Sequence, residues 1–415
     1  MLFIRSVLPC MKILFNSNIN SLSLKNIRNN EREGEKMKNS LEQIKRKYNL
    51  KKDELLLHYV AIGEEVSIEL MRELGIDKNS QNYITLKGRL KGCFIYRKTG
   101  KIRGYQITRK GANEAIERNE NYKKYLINNT GIRNTTNNVA RRAKMQKKAK
   151  LYYYLDVLGI SYIENENNRK EAVFYEEKFI KKNETSDEIK HAMISSRNYG
   201  IIKFNEKDIY ILYVFDNEIS NLKYNIEART ISSYQEIFDT DESKGIIITK
   251  DKEIQSKLIK GIMEAYLEEN PKKLIDKYKA YNYLEMNELH IINFAESGII
   301  QMELLEKKEK VDQMLKEEIG CVSEQEAEKM TEKDNIICDG RTKSCPCEFL
   351  YSLDVMKIKR MYDEITNREY IAYNVVCLKE QEELIMNIFE EVLDYITIYT
   401  IEELEIKKKL DIDNG

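Results

Sequence analysis

Between Asp53 and Gly111 the apolar period changes from helical to strand-like, and that change admits few folds. From Asp53, Leu56, Leu57, Val60 and Ala61 recur at helical spacing until Gly63. Ser67 then caps a second short helix carrying Ile68, Leu70, Met71 and Leu74 before Gly75. A third helix is expected from near Ser80, with Tyr83, Ile84, Leu86 and Leu90 on one side. Phe94, Ile95 and Tyr96 lead at strand period into a tip at Lys98–Lys101, where Gly100 suits positive φ, and Gly104 to Thr108 return. A closing helix is expected from Ala112 to Glu117. Three helices with glycine-containing turns form the helix-turn-helix pattern, here followed by a hairpin.

Charge says what such a module meets. Residues 1–150 hold 33 Lys plus Arg against 14 Asp plus Glu, leaving 36 basic and 55 acidic residues of the 69 of each beyond them. Segregation of this kind points to an N-terminal region that meets a polyanion. Nine basic residues and no acid lie between Lys87 and Lys110: Lys87, Arg89, Lys91, Arg97, Lys98, Lys101, Arg103, Arg109 and Lys110. The string Tyr105-x-Ile107-Thr108-x-x-Gly111 resembles the end of the wing in bacterial winged-helix regulators. A winged helix-turn-helix over 45–120 that binds double-stranded DNA is therefore expected. Gln81, Asn82, Tyr83, Thr85 and Arg89 are the candidates for reading base edges, and the lysines for phosphate contacts. After an Asn/Thr-rich break, Val139–Lys150 carries six more cations and no acid. Arg141 and Arg142 join the candidate footprint, within an expected linker and basic helix at 121–158.

Other features narrow the class. No apolar run approaches the roughly 18–20 residues of a membrane-spanning helix, and Arg5, Pro9 and Lys12 interrupt the N-terminal segment, so a cytoplasmic protein with no membrane partner is expected. Met1, Met11 and Met37 compete as starts, and residues 1–44 are expected to be a poorly ordered extension. Seven scattered cysteines suit a reducing compartment, and Cys338, Cys345 and Cys347 lack the paired spacing of a zinc site. No metal and no cofactor are expected. His58, His191 and His290 are weak catalytic candidates.

From 159 to 400 the pattern is α/β, with a charged tail at 401–415. Strands are expected at 160–163, 173–175, 199–204, 209–215, 245–249 and 370–376, and helices at 252–268, 300–318, 356–365 and 379–389. Ser196-Arg197-x-Tyr199-Gly200-Ile201, the strand ending Tyr210-x-x-Tyr213, then Tyr224, Asn225, Glu227 and Arg229 come after the helix-turn-helix. Cys338-Asp339-Gly340 and Leu353-Asp354-x-x-x-Ile358-Lys359-Arg360 come later. Together these resemble winged-helix proteins of clostridial plasmids and integrative conjugative elements, similar in layout to the replication-relaxation family. The resemblance implies a multi-domain α/β chain: a winged helix, then a restriction-endonuclease-like core in DNA maintenance of a mobile element. A nuclease of that core class needs an Asp on one strand and Glu-x-Lys on the next, to hold Mg²⁺ and to orient water. Here those positions read Asn198-Tyr199 and Leu212-Tyr213-Val214-Phe215, so a catalytically degenerate core is expected. If the core did cut DNA, Asp208, Asp216 and Glu227 would be its acids.

Three functions fit these features. The first is a non-enzymatic DNA-binding protein whose acidic half joins copies of itself or mobile-element partners. The others are a metal-dependent nuclease or nicking accessory, and a transcriptional repressor with a C-terminal sensor domain.

Overall fold

The chain divides into two units, 1–49 and 50–415, and every helix and strand from Lys52 onward belongs to the second. The computed structural model describes residues 44 and 51–401, except 129–130, 133–134, 163–171, 184–186, 188–192, 194–195, 216–221, 268–277, 279–280, 282–283, 285 and 369–370.

Helix α1 (Lys52–Gly63) starts where Glu54 reaches back to the Lys51 amide at 2.7 Å, and it ends at Glu64, whose φ is 69°. Its apolar residues Leu55, Leu56, Leu57, Tyr59, Val60, Ala61 and Ile62 are all buried. Strand β1 (Glu65–Ser67) and helix α2 (Ile68–Glu73) come next, with the Ser67 hydroxyl accepting from the Leu70 amide. Helix α3 (Lys78–Asn82) runs directly into a π-helical turn at Tyr83–Lys87. Strands β2 (Phe94–Thr99) and β3 (Ile102–Ile107) form the expected hairpin, with Gly100 at φ +57°, and β1 joins them in a three-stranded antiparallel sheet. Helix α4 (Arg109–Arg118) is capped by Thr108, whose hydroxyl accepts from the Gly111 amide. Beyond it lie α5 (Lys123–Leu126) and the two-residue strands β4 (Ile127–Asn128) and β5 (Gly131–Ile132).

Helix α6 (Val139–Val157), read from sequence as part of a linker segment, packs against α1 and β1. The backbones meet so closely that a Cβ on Gly63 would sit 2.4 Å from the Ala149 Cβ. His58 is a core residue there. Its ring nitrogens meet the Tyr122 and Tyr162 hydroxyls at 2.6 and 2.9 Å, and Tyr59 and Tyr162 both donate to Asp156.

The second half holds two further sheets. Strand β6 (Val173–Glu176), helix α7 (Glu177–Asn183), strands β7 (Asn198–Lys203) and β8 (Ile209–Val214), helix α8 (Tyr224–Phe238), strand β9 (Lys244–Thr249), helix α9 (Lys252–Leu267) and strand β10 (Glu288–Asn293) build the first. Its order is β10-β9-β8-β7-β6, parallel from β8 to β10 and antiparallel from β6 to β8. Strands β8 and β9 are buried along their whole length, which is why they read as unbroken apolar runs.

Helices α10 (Glu296–Glu306), α11 (Lys308–Ile319) and α12 (Glu324–Asp334) lead to β11 (Gly340–Arg341), β12 (Pro346–Phe349), α13 (Val355–Asn367), β13 (Tyr373–Leu378), α14 (Glu382–Ile388) and β14 (Ile396–Ile401). These strands form a second sheet in that order, antiparallel at β11–β12 and parallel beyond. One hydrophobic core spans both sheets, from Tyr213 and Ile247 to Ile358 and Val375.

Three expectations need correction. The helix expected over 300–318 is two helices, broken at Lys307 (φ −107°, ψ 26°). The strand expected at 160–163 shrinks, among the described residues, to a bridge between Ser161 and Val173. The strand expected at 370–376 starts at Tyr373. Among the described residues no helix is long and apolar enough to cross a membrane.

Candidate functional site

The β2–β3 hairpin has two unlike faces. Lys98 pairs across the strands with Arg103, and Tyr96 with Tyr105, so these four share one face. Lys98 and Arg103 are exposed, and the two tyrosine rings lie 5.4 Å apart. The other face lies against α6. There Gly104 is pressed so closely that a Cβ would come within 2.5 Å of the Val66 carbonyl and 2.6 Å of Gln146 Nε2.

The anchor of that inner face is Arg142, which is fully buried. Its Nε and Nη2 donate to Glu65 at 2.9 and 2.6 Å, Nη2 also to the Arg97 carbonyl at 3.0 Å, and Nη1 to the Thr99 hydroxyl at 2.8 Å. Gln106 and Gln146 donate to the same carboxylate at 2.7 and 2.6 Å. Arg142 therefore braces the hairpin from behind and presents nothing to a ligand.

Other expected contacts also move. Gln81 and Thr85 are buried: Gln81 Nε2 donates to the Ile76 carbonyl at 3.1 Å, and the Thr85 hydroxyl to the Gln81 carbonyl at 2.8 Å. For Thr85 the cause is the π turn, which winds more than 3.6 residues per turn and rotates the side chains from Tyr83 onward away from the α-helical wheel, whereas Gln81, which precedes that turn, folds back on the Ile76 carbonyl. Lys78, Asn79, Asn82, Leu86 and Lys87 are the exposed residues there, and Leu86 is 61% exposed. The Tyr83 side chain lies outside the described residues. Arg89 is held by Asp53 at 2.5 Å and Glu54 at 2.9 Å, and Asp53 keeps its guanidinium firmly charged. Arg97 bonds Thr135 at 3.4 Å, and Lys110 donates to the Lys91 carbonyl at 2.8 Å. Arg141 is exposed, 3.7 Å from Glu64. Lys87, Lys91, Lys98, Lys101, Arg103 and Arg109 are exposed, with no ion-pair partner among the described residues.

The two expected nuclease acids that are described, Asp208 and Glu227, do not converge. Asp208 precedes β8 and is tied to Lys244 at 3.0 Å and Asn205 at 2.5 Å. Glu227 bonds Tyr213 near the far end of the same strand, roughly 15 Å along it from Asp208. Glu227 is fully buried, and Ser196, the Arg197 amide and Tyr213 donate to it at 2.6, 3.0 and 3.1 Å, so its oxygens are occupied within the protein. Asp216 and His191 lie outside the described residues. Leu212, Tyr213, Val214 and Phe215 are buried, and Asn198 is held by Tyr234 and Ser196 at 2.7 Å each.

Where charge does collect is a seam that sequence reasoning missed. Asp339 before β11 receives the Lys357 ammonium at 2.6 Å on both oxygens and the Phe349 amide at 2.7 Å. Glu348 on β12 receives Arg360 at 2.7 Å and lies buried beside Asp339, with which it shares a hydrogen bond. Burial, then the Asp339 charge, pushes Glu348 far above the carboxylate range; Asp339 itself stays low despite burial because Lys357 faces it. Asp312 on α11 accepts from Tyr351 at 2.9 Å. Burial and then Asp339 lift its carboxyl to about 6, against Lys357, Tyr351 and Lys308.

That shift has a defined sign. A carboxyl raised in the folded state binds its proton more tightly there than in the unfolded chain, so folding stability falls as pH rises from about 4 to about 6. Asp312→Asn keeps an acceptor for Tyr351 and is expected to stabilise the chain by roughly 1–2 kcal/mol above pH 6, and not near pH 4. Calorimetric melts across this range check it; parallel pH profiles for both proteins would assign the titration elsewhere.

Burial pushes the Cys338 and Cys347 thiols up to about 11 and about 12. Comparison with family models, with curated proteins and with solved structures finds no match.

Proposed function

We propose that this chain binds double-stranded DNA as a winged helix, laying the outer face of the β2–β3 hairpin on the phosphate backbone and the exposed α3 surface in the groove. Its place in replication, transfer or regulation of a bacterial mobile element rests on the sequence resemblance. The observation that carries the DNA reading is the Lys98–Arg103 pair. Like charges directly opposed on a hairpin destabilise it, and here neither has an ion-pair partner among the described residues. Lys87, Lys91, Lys101 and Arg109 add to the same excess. The order helix, strand, helix, helix, hairpin supports the winged-helix reading. Asn82, Lys78 and Asn79 replace Gln81 and Thr85 as the polar side chains offered to bases. We assign no cleavage chemistry to Asp208 or Glu227.

The test is duplex binding by the full chain as salt is raised. If about four to six phosphates are neutralised, log affinity falls against log salt with a slope of about −4 to −5. Binding indifferent to salt, or absent at low salt, would remove this reading.

A further inference from the structure

Glu288 and His290 stand two residues apart on β10, so their side chains leave the same face of the strand. A single bridge between His290 and Asp354 brings the N-cap residue of α13 beside that face. One donor atom from each of Glu288, His290 and Asp354 lies within 4.8 Å of the other two.

The protein itself satisfies only part of this group. Asp354 Oδ1 accepts from the Leu289 and Met356 amides, both at 3.0 Å, while Oδ2 has no hydrogen-bond partner. One ring nitrogen of His290, Nε2, meets Glu288 Oε2 at 2.9 Å, and the other, Nδ1, has no partner. Both residues are 1% exposed, so bulk water does not make up the deficit. Buried polar atoms left in that state are uncommon and call for an explanation. Lys308 holds Glu288 Oε1 at 2.7 Å, with the Lys244 ammonium 3.8 Å away, which fixes the carboxylate, and Oε2 is turned toward His290 and accepts from the Tyr210 hydroxyl at 3.4 Å.

The geometry points to a divalent transition-metal site at Glu288, His290 and Asp354. Two carboxylates with one imidazole suit a first-row ion such as Mn²⁺, Fe²⁺ or Zn²⁺, whereas Ca²⁺ and Mg²⁺ favour oxygen donors throughout. Bonds of roughly 2.0–2.2 Å separate donors by roughly 3–4 Å, so only a small closure of the present arrangement is needed. Three protein donors leave further positions open. The Glu288 side chain, 15% exposed, and Lys308, 22% exposed, form the side of the site nearest solvent.

Mn²⁺ is the probe, because thiols compete for it poorly. Full-length protein stripped with chelator and titrated with Mn²⁺ should bind one equivalent, read by loss of the free-ion electron paramagnetic signal and by a raised melting temperature. Asp354→Asn keeps the Oδ1 acceptor for Leu289 and Met356, so the helix cap survives while the ligand charge is lost. It is expected to weaken Mn²⁺ at least tenfold with an unchanged circular dichroism spectrum. His290→Gln should do the same. Failure of wild type to bind, or binding of equal affinity in a folded Asp354→Asn, overturns the site.

Discussion

Arg142→Met is expected to destabilise the segment from α1 to α6 by about 3–5 kcal/mol, because it leaves the Glu65 carboxylate buried without its cation. Arg142→Lys should recover only part of this, since an ammonium cannot span Glu65, the Arg97 carbonyl and Thr99 as the planar fork does. The pair Glu65→Leu with Arg142→Met should cost less than the sum of the two, because both buried charges are then gone. A chain of this size need not unfold in one step, so the readout is amide exchange in α1 and α6 beside the thermal melt. Exchange rates in α1 unchanged by Arg142→Met would show that the brace carries no weight. If the hairpin lies on DNA as proposed, the same substitution should weaken that binding although Arg142 reaches no solvent, since it holds β2 at Arg97 and Thr99.

This brace marks a limit of sequence reading. In sequence Arg142 belongs to a run of six cations, and nothing local sets it apart from Arg141. What does so is Glu65, 77 residues earlier, an acid on a three-residue strand too short to announce itself by period. The first helix and the hairpin were legible, because glycine turns and a change of period are local signals. The exposed face of α3 and the turn after it was not, because the π turn displaces Thr85 and every later residue from the helical wheel, while Gln81 folds back on the Ile76 carbonyl through a contact no spacing announces.

In the second half, strands β8 and β9 announced themselves as apolar runs, whereas β10, reading Glu-Leu-His-Ile-Ile-Asn, did not. Its polar residues are the ones that meet Asp354 and Lys308, so the feature that hid the strand is also what makes it interesting. The acid seam draws on α11, β11, β12 and α13, and no spacing in the sequence links Asp312 to Lys357. The string from Leu353 to Arg360 did span Asp354, Lys357 and Arg360, without indicating their partners.

Lys98→Glu with Arg103→Glu is expected to abolish measurable DNA binding at physiological salt while leaving the fold intact or slightly firmer. Two like charges are directly opposed on the exposed hairpin face, and reversing both keeps that repulsion in kind, so stability should change little. On the proposed reading binding should change greatly, because two phosphate contacts would be lost and two repulsions added. Counterion release ties about 0.9 units of salt slope to each phosphate neutralised, so the mutant's slope should also flatten by about 2. The loss should be uniform across DNA sequences, since a wing on the backbone positions without reading bases. Asn82→Ala, by contrast, should leave the slope alone and alter preference between sequences, because its side chain is uncharged and exposed on α3. Anisotropy titrations of wild type and both variants on several duplexes separate the two effects. If Lys98→Glu with Arg103→Glu binds like wild type, the hairpin does not touch DNA, and its basic face must serve an acidic protein partner instead.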